Sequence, residues 1–226
     1  MKRVYAVPLE YEPGARTQYS DLGMILLGEI ITRACGRPLD QFLAERLFGP
    51  LGMRSTLYKP PRELWERVAP TEKDPWRGRV VHGEVHDENA FAMGGVAGHA
   101  GLFSTAHDLA VFAQLMLNRG LYDHRRYFRA ETVDRFTGAR GEEPAQGWQK
   151  ASPNSWTGRV FSAAAYGHTG FTGTSIWIEP QSDLFIVLLT NRVHPSRDNN
   201  RIAEARQRIA ESIVSALALK SDHQPR

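Results

Sequence analysis

The chain has 226 residues, 42% hydrophobic and 23% charged, which suits one globular domain with a well-buried core. Its 28 basic residues barely outnumber 25 acidic ones, for a formal charge of +3. With no Lys/Arg run and no basic stripe interleaved with aromatics, nucleic acid is excluded as a partner class. No apolar run approaches the ~20 residues of a membrane span. Met1 to Tyr11 hold no signal-peptide core, the short apolar stretch being broken by Pro8, Glu10 and Glu12, so the compartment stays open. The single cysteine, Cys35, can form no internal disulfide and falls in a helical pattern, where a small buried thiol is expected.

After a turn at Pro13-Gly14, Ser20 or Asp21 caps a helix in which Leu22, Ile25, Leu26, Ile30 and Ile31 recur at helical spacing. Gly36 and Pro38 end it, and a second helix runs through Leu39, Phe42, Leu43 and Leu47 to Gly49-Pro50. A short helix is expected from Arg62 to Val68. Pro70 to Gly101 shows little periodicity and reads as a long functional loop. Ser104-Thr105 with Asp108 form a capping box, and the helix that follows turns Leu109, Phe112, Ala113 and Met116 inward and stops at Asn118-Arg119-Gly120. Another helix near Ala130 to Phe136 precedes a Gly/Glu/Pro-rich link, Gly138 to Pro144. Thr174 to Ile178 and Leu184 to Thr190 form a hairpin. A final helix, Asn200 to Leu219, sets Ile202, Ala205, Ile209, Ile213 and Leu217 on a stripe suited to covering a sheet. The order predicts an α/β (α+β) sandwich, an antiparallel sheet flanked by helices, as one domain over residues 1–220 with a polar tail, 221–226.

Two short patterns carry chemistry. Gln18-Tyr19-Ser20-Asp21 puts a tyrosine just before a helix N-terminus; alone, Tyr19 is a half-buried packing residue. Tyr166-Gly167-His168-Thr169-Gly170-Phe171-Thr172-Gly173 has three glycines that let a backbone or substrate approach a strand edge; alone, it is a plain glycine turn. A third stretch, Val85-His86-Asp87-Glu88-Asn89-Ala90 with Gly94-Gly-Val-Ala-Gly-His-Ala-Gly101, could bring His86, Asp87 and His99 together. Imidazole and carboxylate are metal-ligand types, but the spacing matches no established metal motif, so a hydrogen-bonded staple is expected and no metal is assigned.

Together the first two patterns resemble the Tyr-x-Asn and Lys/His-Thr-Gly elements of the penicillin-recognising serine hydrolases, the family of class C β-lactamases, D-Ala-D-Ala carboxypeptidases and related esterases. Tyr19 to Ile31, Leu47 to Met53 and Ala100 to Phe112 extend the resemblance over nearly the whole chain, and the His86 and His99 stretches are similar to those of a cell-wall-associated branch. The resemblance implies a β-lactamase/transpeptidase-like fold and hydrolysis of amide or ester bonds through an acyl-enzyme, without a cofactor. It makes Tyr19 and His168 catalytic and puts Asp21, Thr169, Gly170 and Phe171 along the substrate edge. The Phe171 amide is the second oxyanion donor, and His86, Asp87 and His99 stand at the cleft rim. Asp21 stands where Asn is usual, and an ionised carboxylate can only accept. No Ser-x-x-Lys occurs in the 226 residues: Ser55 meets Lys59 four residues on, and Ser215 meets Lys220 five on. The chain is therefore expected to be N-terminally incomplete. Its Tyr19 lacks the cation that would make a phenol of pKa near ~10 a base. Its substrate is a small molecule or a peptidoglycan-type peptide, and a further N-terminal segment or self-association covers an exposed edge. The alternative is a peptide- or glycan-binding remnant of the same fold.

Overall fold

The structure is a computed structural model and describes residues 1–139 and 145–217. The polar tail, and the link beyond Ala139 up to Pro144, lie outside the described residues. A single helical turn α1 (Lys2–Tyr5) leads to α2 (Asp21–Cys35), whose first turn is capped by Ser20: its Oγ accepts from the Gly23 N–H at 3.1 Å. Helix α3 (Leu39–Leu43) continues as a π-helical turn, Ala44–Phe48, and β1 (Leu57–Tyr58) and a 3₁₀ turn, Arg62–Arg67, follow. Where a structureless loop was expected, β2 (Lys73–Asp74) and β3 (Arg79–Val80) pair antiparallel, and α4 (Glu88–Ala92) starts on the Asp87 carboxylate. These elements are too short to show periodicity.

Strand β4 (Leu102–Phe103) pairs with β1 and leads to α5 (Ala106–Leu117). Only half of the expected capping box forms. Thr105 Oγ1 accepts from the Asp108 N–H, but the buried Asp108 carboxylate accepts instead from the Ser55 N–H and the Thr56 hydroxyl, both at 2.8 Å. This ties the start of α5 to the segment after Met53. Next to it Phe48, Leu51 and Met53 pack on Leu115 of α5, so the Leu47–Met53 stretch is a packing unit.

The small hairpin β5 (Leu121–Tyr122) and β6 (Arg125–Arg126) and helix α6 (Ala130–Thr137) lead to β7 (Gln149–Lys150), α7 (Trp156–Val160) and β8 (Tyr166–Thr169). Strands β9 (Ser175–Glu179) and β10 (Leu184–Leu188) form the expected hairpin, and α8 (Ile202–Ala216) closes the described chain. The main sheet is antiparallel in the order β10-β9-β8-β7. Side chains alternate across it. Tyr166 and Ile178 face Ala113 and Met116 of α5 and Val133 of α6, while Trp177 faces Phe161, Val160 and Ala210 of α8. Helices thus cover both faces, the sandwich the sequence predicts.

Two expectations are corrected. On α8 the residue turned fully inward is Ala210, with Val214 beside it, whereas Ile209 and Leu217 are exposed. The Trp177 indole fills the space below the helix, so a small residue has to meet it. Cys35 is exposed rather than buried, because it ends α2 where nothing in the described structure packs on it.

Candidate functional site

Tyr19 lies immediately before the capped end of α2, and its ring stacks on that of His168 in β8, with centroids 6.0 Å apart and planes at 29°. His168 Nδ1–H donates to the Thr169 carbonyl at 2.9 Å. A carbonyl only accepts, so the neutral ring carries its free lone pair on Nε2. Although Tyr19 is 72% exposed as a residue, partial desolvation of its hydroxyl raises its pKa, and the nearby carboxylates of Asp21 and then Asp87 raise it further. All of these act in one direction, so the phenol stays protonated at neutral pH.

The turn after β8 is clamped through its carbonyls. Arg206 of α8 donates Nη2 to Gly170 O at 2.9 Å and Thr174 O at 2.6 Å, and Arg192 donates Nε to Phe171 O at 2.7 Å. The Gly170 N–H donates to Thr174 O at 2.7 Å, while the Phe171 N–H has no acceptor among the described residues. A fixed loop presenting a free N–H is the geometry in which an oxyanion could be held. The exposed Phe171 ring lies between His86, stacked at 5.7 Å, and the Arg192 guanidinium, 4.3 Å from its centroid.

The His-Asp and Gly-His-Ala-Gly stretches border this site as a staple. His99 Nε2–H donates to the Asp87 carboxylate at 2.8 Å, and Asp87 also accepts from the Ala90 N–H at 2.7 Å. His86 turns away from that pair and donates Nε2–H to the buried Glu72 at 2.9 Å. Glu72 also accepts from Arg197 Nε at 2.7 Å, and Arg197 reaches Glu88 at 2.6 Å. Burial raises the Glu72 pKa, but its bonds to His86 and then Arg197 outweigh this and leave it below the ordinary value. Among the described residues no three His, Cys, Asp or Glu side chains are placed to share a metal ion. The staple reaches Tyr19 because Gly98 lies against α2: a Cβ on Gly98 would stand 2.0 Å from the Met24 carbonyl oxygen. Tyr58, its phenol pushed up to about 12 by burial and by Asp40, holds the same loop through the Ala97 carbonyl at 3.2 Å.

Of the nine residues singled out in the sequence, the structure brings together Tyr19 with His168, His86 with Phe171 and His99 with Asp87, whereas Thr169 follows His168 on β8 and projects to the other face of the sheet. Sequence reasoning missed Glu72, Arg192, Arg197 and Arg206. Glu72 and Arg197 are 125 positions apart, and no local pattern joins them.

Residues 1–211 match the family model described as Beta-lactamase. The chain belongs to the β-lactamase family. Over 207 residues this β-lactamase-family chain is 41% identical to an N-acetylmuramyl-L-alanine amidase of Bacillus subtilis, with 83% of this chain and 47% of that protein covered. It is 39% identical over 213 residues to a putative D-alanyl-D-alanine carboxypeptidase of Escherichia coli, with 86% and 49% covered. The chain spans about half the length of these curated relatives. A crystal structure of a β-lactamase from Mycobacterium bovis superposes with a TM-score of 0.63 at 23% identity, covering 92% of this chain and 66% of that one, and shares the fold. A β-lactamase-type hydrolase is thus the class to which the site has to be fitted.

Proposed function

We propose that these residues form the tyrosine and His-Thr-Gly side of an acyl-transfer site that hydrolyses an amide bond of a peptidoglycan-type peptide through a serine acyl-enzyme. The observation that carries the reading is the stacking of Tyr19 on His168 beside the unpaired Phe171 N–H. In this reading the Phe171 amide is one oxyanion donor, Thr169 and Gly170 line the strand edge along which the acyl chain lies, and His168 Nε2 and the Tyr19 hydroxyl exchange the proton. The serine and lysine come from polypeptide outside these 226 residues, which hold no Ser-x-x-Lys; residues 1–220 are then one part of the catalytic domain. The lysine would also oppose Asp21 and Asp87, bringing the Tyr19 phenol down into a working range. Asp21 positions Tyr19 in place of contacting substrate. The names of the relatives, an amidase and a carboxypeptidase, support the substrate class.

Fluorescent penicillin tests the reading on this chain and on a form extended to include an in-frame Ser-x-x-Lys. The chain alone is expected to stay unlabelled and the extended form to be acylated. Tyr19→Phe in the extended form is expected to slow acylation by about 10²–10⁴-fold. Labelling of neither form, with reversible binding of a peptide or glycan, would instead support the non-catalytic remnant, which the missing Ser-x-x-Lys favours.

A further inference from the structure

The main sheet carries a cavity on the face turned away from His168. Side chains alternate along β8, so Thr169 projects opposite to His168, onto the face where Trp177 packs under α8. A cavity of about 400 Å³ opens there, with Lys150, Ser155, Trp156, Thr169, Trp177 and Arg206 in its wall and no carboxylate in its lining. Neither Tyr19, His168 nor Phe171 lines it.

Two cations, Lys150 and Arg206, share this space, and no Asp or Glu stands beside them among the described lining residues. Lys150 Nζ donates to the Ala164 carbonyl at 2.9 Å and has no ion-pair partner among the described residues. Burial holds its ammonium below the usual range, and the charge of Glu179, which is not in the cavity lining, opposes this only in part. Arg206 spends Nη2 on two carbonyls of the β8–β9 turn, and its buried Nε–H has no acceptor among the described residues. Burial, then the neighbouring Arg192, disfavours its charge as well. Trp177 is only 4% exposed, and its Nε1–H is also without an acceptor among the described residues. Folded proteins pair most buried donors, and an uncompensated buried charge is costly. A single anionic acceptor in the cavity would answer both charges and the orphaned donors.

We propose that this cavity binds a small oxyanion, a carboxylate or phosphate group, between Lys150 and Arg206 and against the edge-to-face Trp156–Trp177 pair, whose centroids are 5.8 Å apart. The cavity shares Thr169 and Arg206 with the edge and turn of the acyl-transfer reading but contains neither of its proton-transfer side chains, and Tyr19→Phe leaves anion binding unchanged. Two of the five tryptophans line the cavity, so intrinsic fluorescence of the full chain reports its occupation. Inorganic phosphate, acetate and chloride are titrated at matched ionic strength. A saturable response to phosphate alone identifies a phosphate-type ligand, and one to acetate a carboxylate. Lys150→Gln keeps a donor for the Ala164 carbonyl but removes the charge, and is expected to weaken binding about tenfold with the far-UV spectrum unchanged. In the unsubstituted chain, affinity is expected to fall at alkaline pH as the Lys150 ammonium is lost. Responses that match chloride, an affinity that does not fall at alkaline pH, or undiminished binding by folded Lys150→Gln overturns the proposal.

Discussion

The two partners in the Tyr19–His168 contact are supported by very unequal amounts of protein. His168 belongs to a strand whose neighbours Tyr166 and Gly167 are buried, on a sheet covered on both faces. Trp177 lies so close over Gly167 that a Cβ there would meet its ring at 2.5 Å. Tyr19 precedes a helix in which only Ile25 and Gly28 are buried, while Leu27 and Ile30 are 50% and 57% exposed. A helix of this length takes most of its stability from an apolar face packed on something. The His168 side is therefore preorganised by the core. The Tyr19 side rests on the approach of Gly98 and Leu39 to Gly28, on exposed bonds of Tyr5 with Glu29 and Arg33, and on the staple behind Gly98.

Removing the support of the stronger side gives the largest effect. Trp177→Ala is expected to cost about 3–5 kcal/mol in urea unfolding, since the indole anchors the packing between β9 and α8. A loss below about 1 kcal/mol would mean that the sheet does not hold His168 as described. Next comes the buried carboxylate behind the staple. Glu72→Gln removes the negative charge and replaces one of two accepting oxygens by an NH2 donor, so that His86 and Arg197 can no longer all be satisfied, and is expected to cost about 1–3 kcal/mol. The same group sets a pH dependence. Its native pKa lies below the unfolded value, so its contribution is complete above the ordinary carboxylate range near ~4.3 and is lost as pH falls through the depressed native value. Acid titrations of the parent and Glu72→Gln are expected to converge at low pH; parallel curves would remove Glu72 from the account. Gly98→Ala acts on the weaker side. Its Cβ has to displace the Met24 carbonyl, and loss of about 1–3 kcal/mol is expected, with faster amide exchange in α2 than in β8.

This inequality also decided what could be read from the sequence. Helices α2 and α5 and the β9–β10 hairpin were legible because their caps and periods are local. Strand β7 has only two residues, and β8 begins Tyr-Gly-His, so neither carries an alternating apolar signal. The stripe on α8 was misjudged because a large partner, Trp177, selects a small residue, Ala210, and pattern reasoning looks for large ones. Tyr19, His168 and the His99–Asp87 pair could be found from short motifs, but the arginines that clamp the turn could not. Arg206 reaches Gly170 across 36 positions of chain and reads on its helix as an ordinary polar residue.

The smallest stability effect is expected on the exposed face of α2, and it is the most direct test of the comparison. Ile30→Ser replaces a residue that is more than half exposed, so the unfolding free energy of the isolated chain is expected to move by no more than about 0.5 kcal/mol. Association need not be so indifferent. Leu27 and Ile30 present adjacent apolar side chains on one helix surface, and β10 is one of the two outer strands of the main sheet as described. Such features favour contact with a second chain. Sedimentation of the parent and Ile30→Ser over a range of concentrations separates the two quantities. Equal stability with weaker association of the variant places Ile30 outside the fold's own core but inside an interface. A destabilisation that rivals Trp177→Ala at concentrations where the chain is monomeric would instead show that the face is packed, and that Tyr19 is held as firmly as His168.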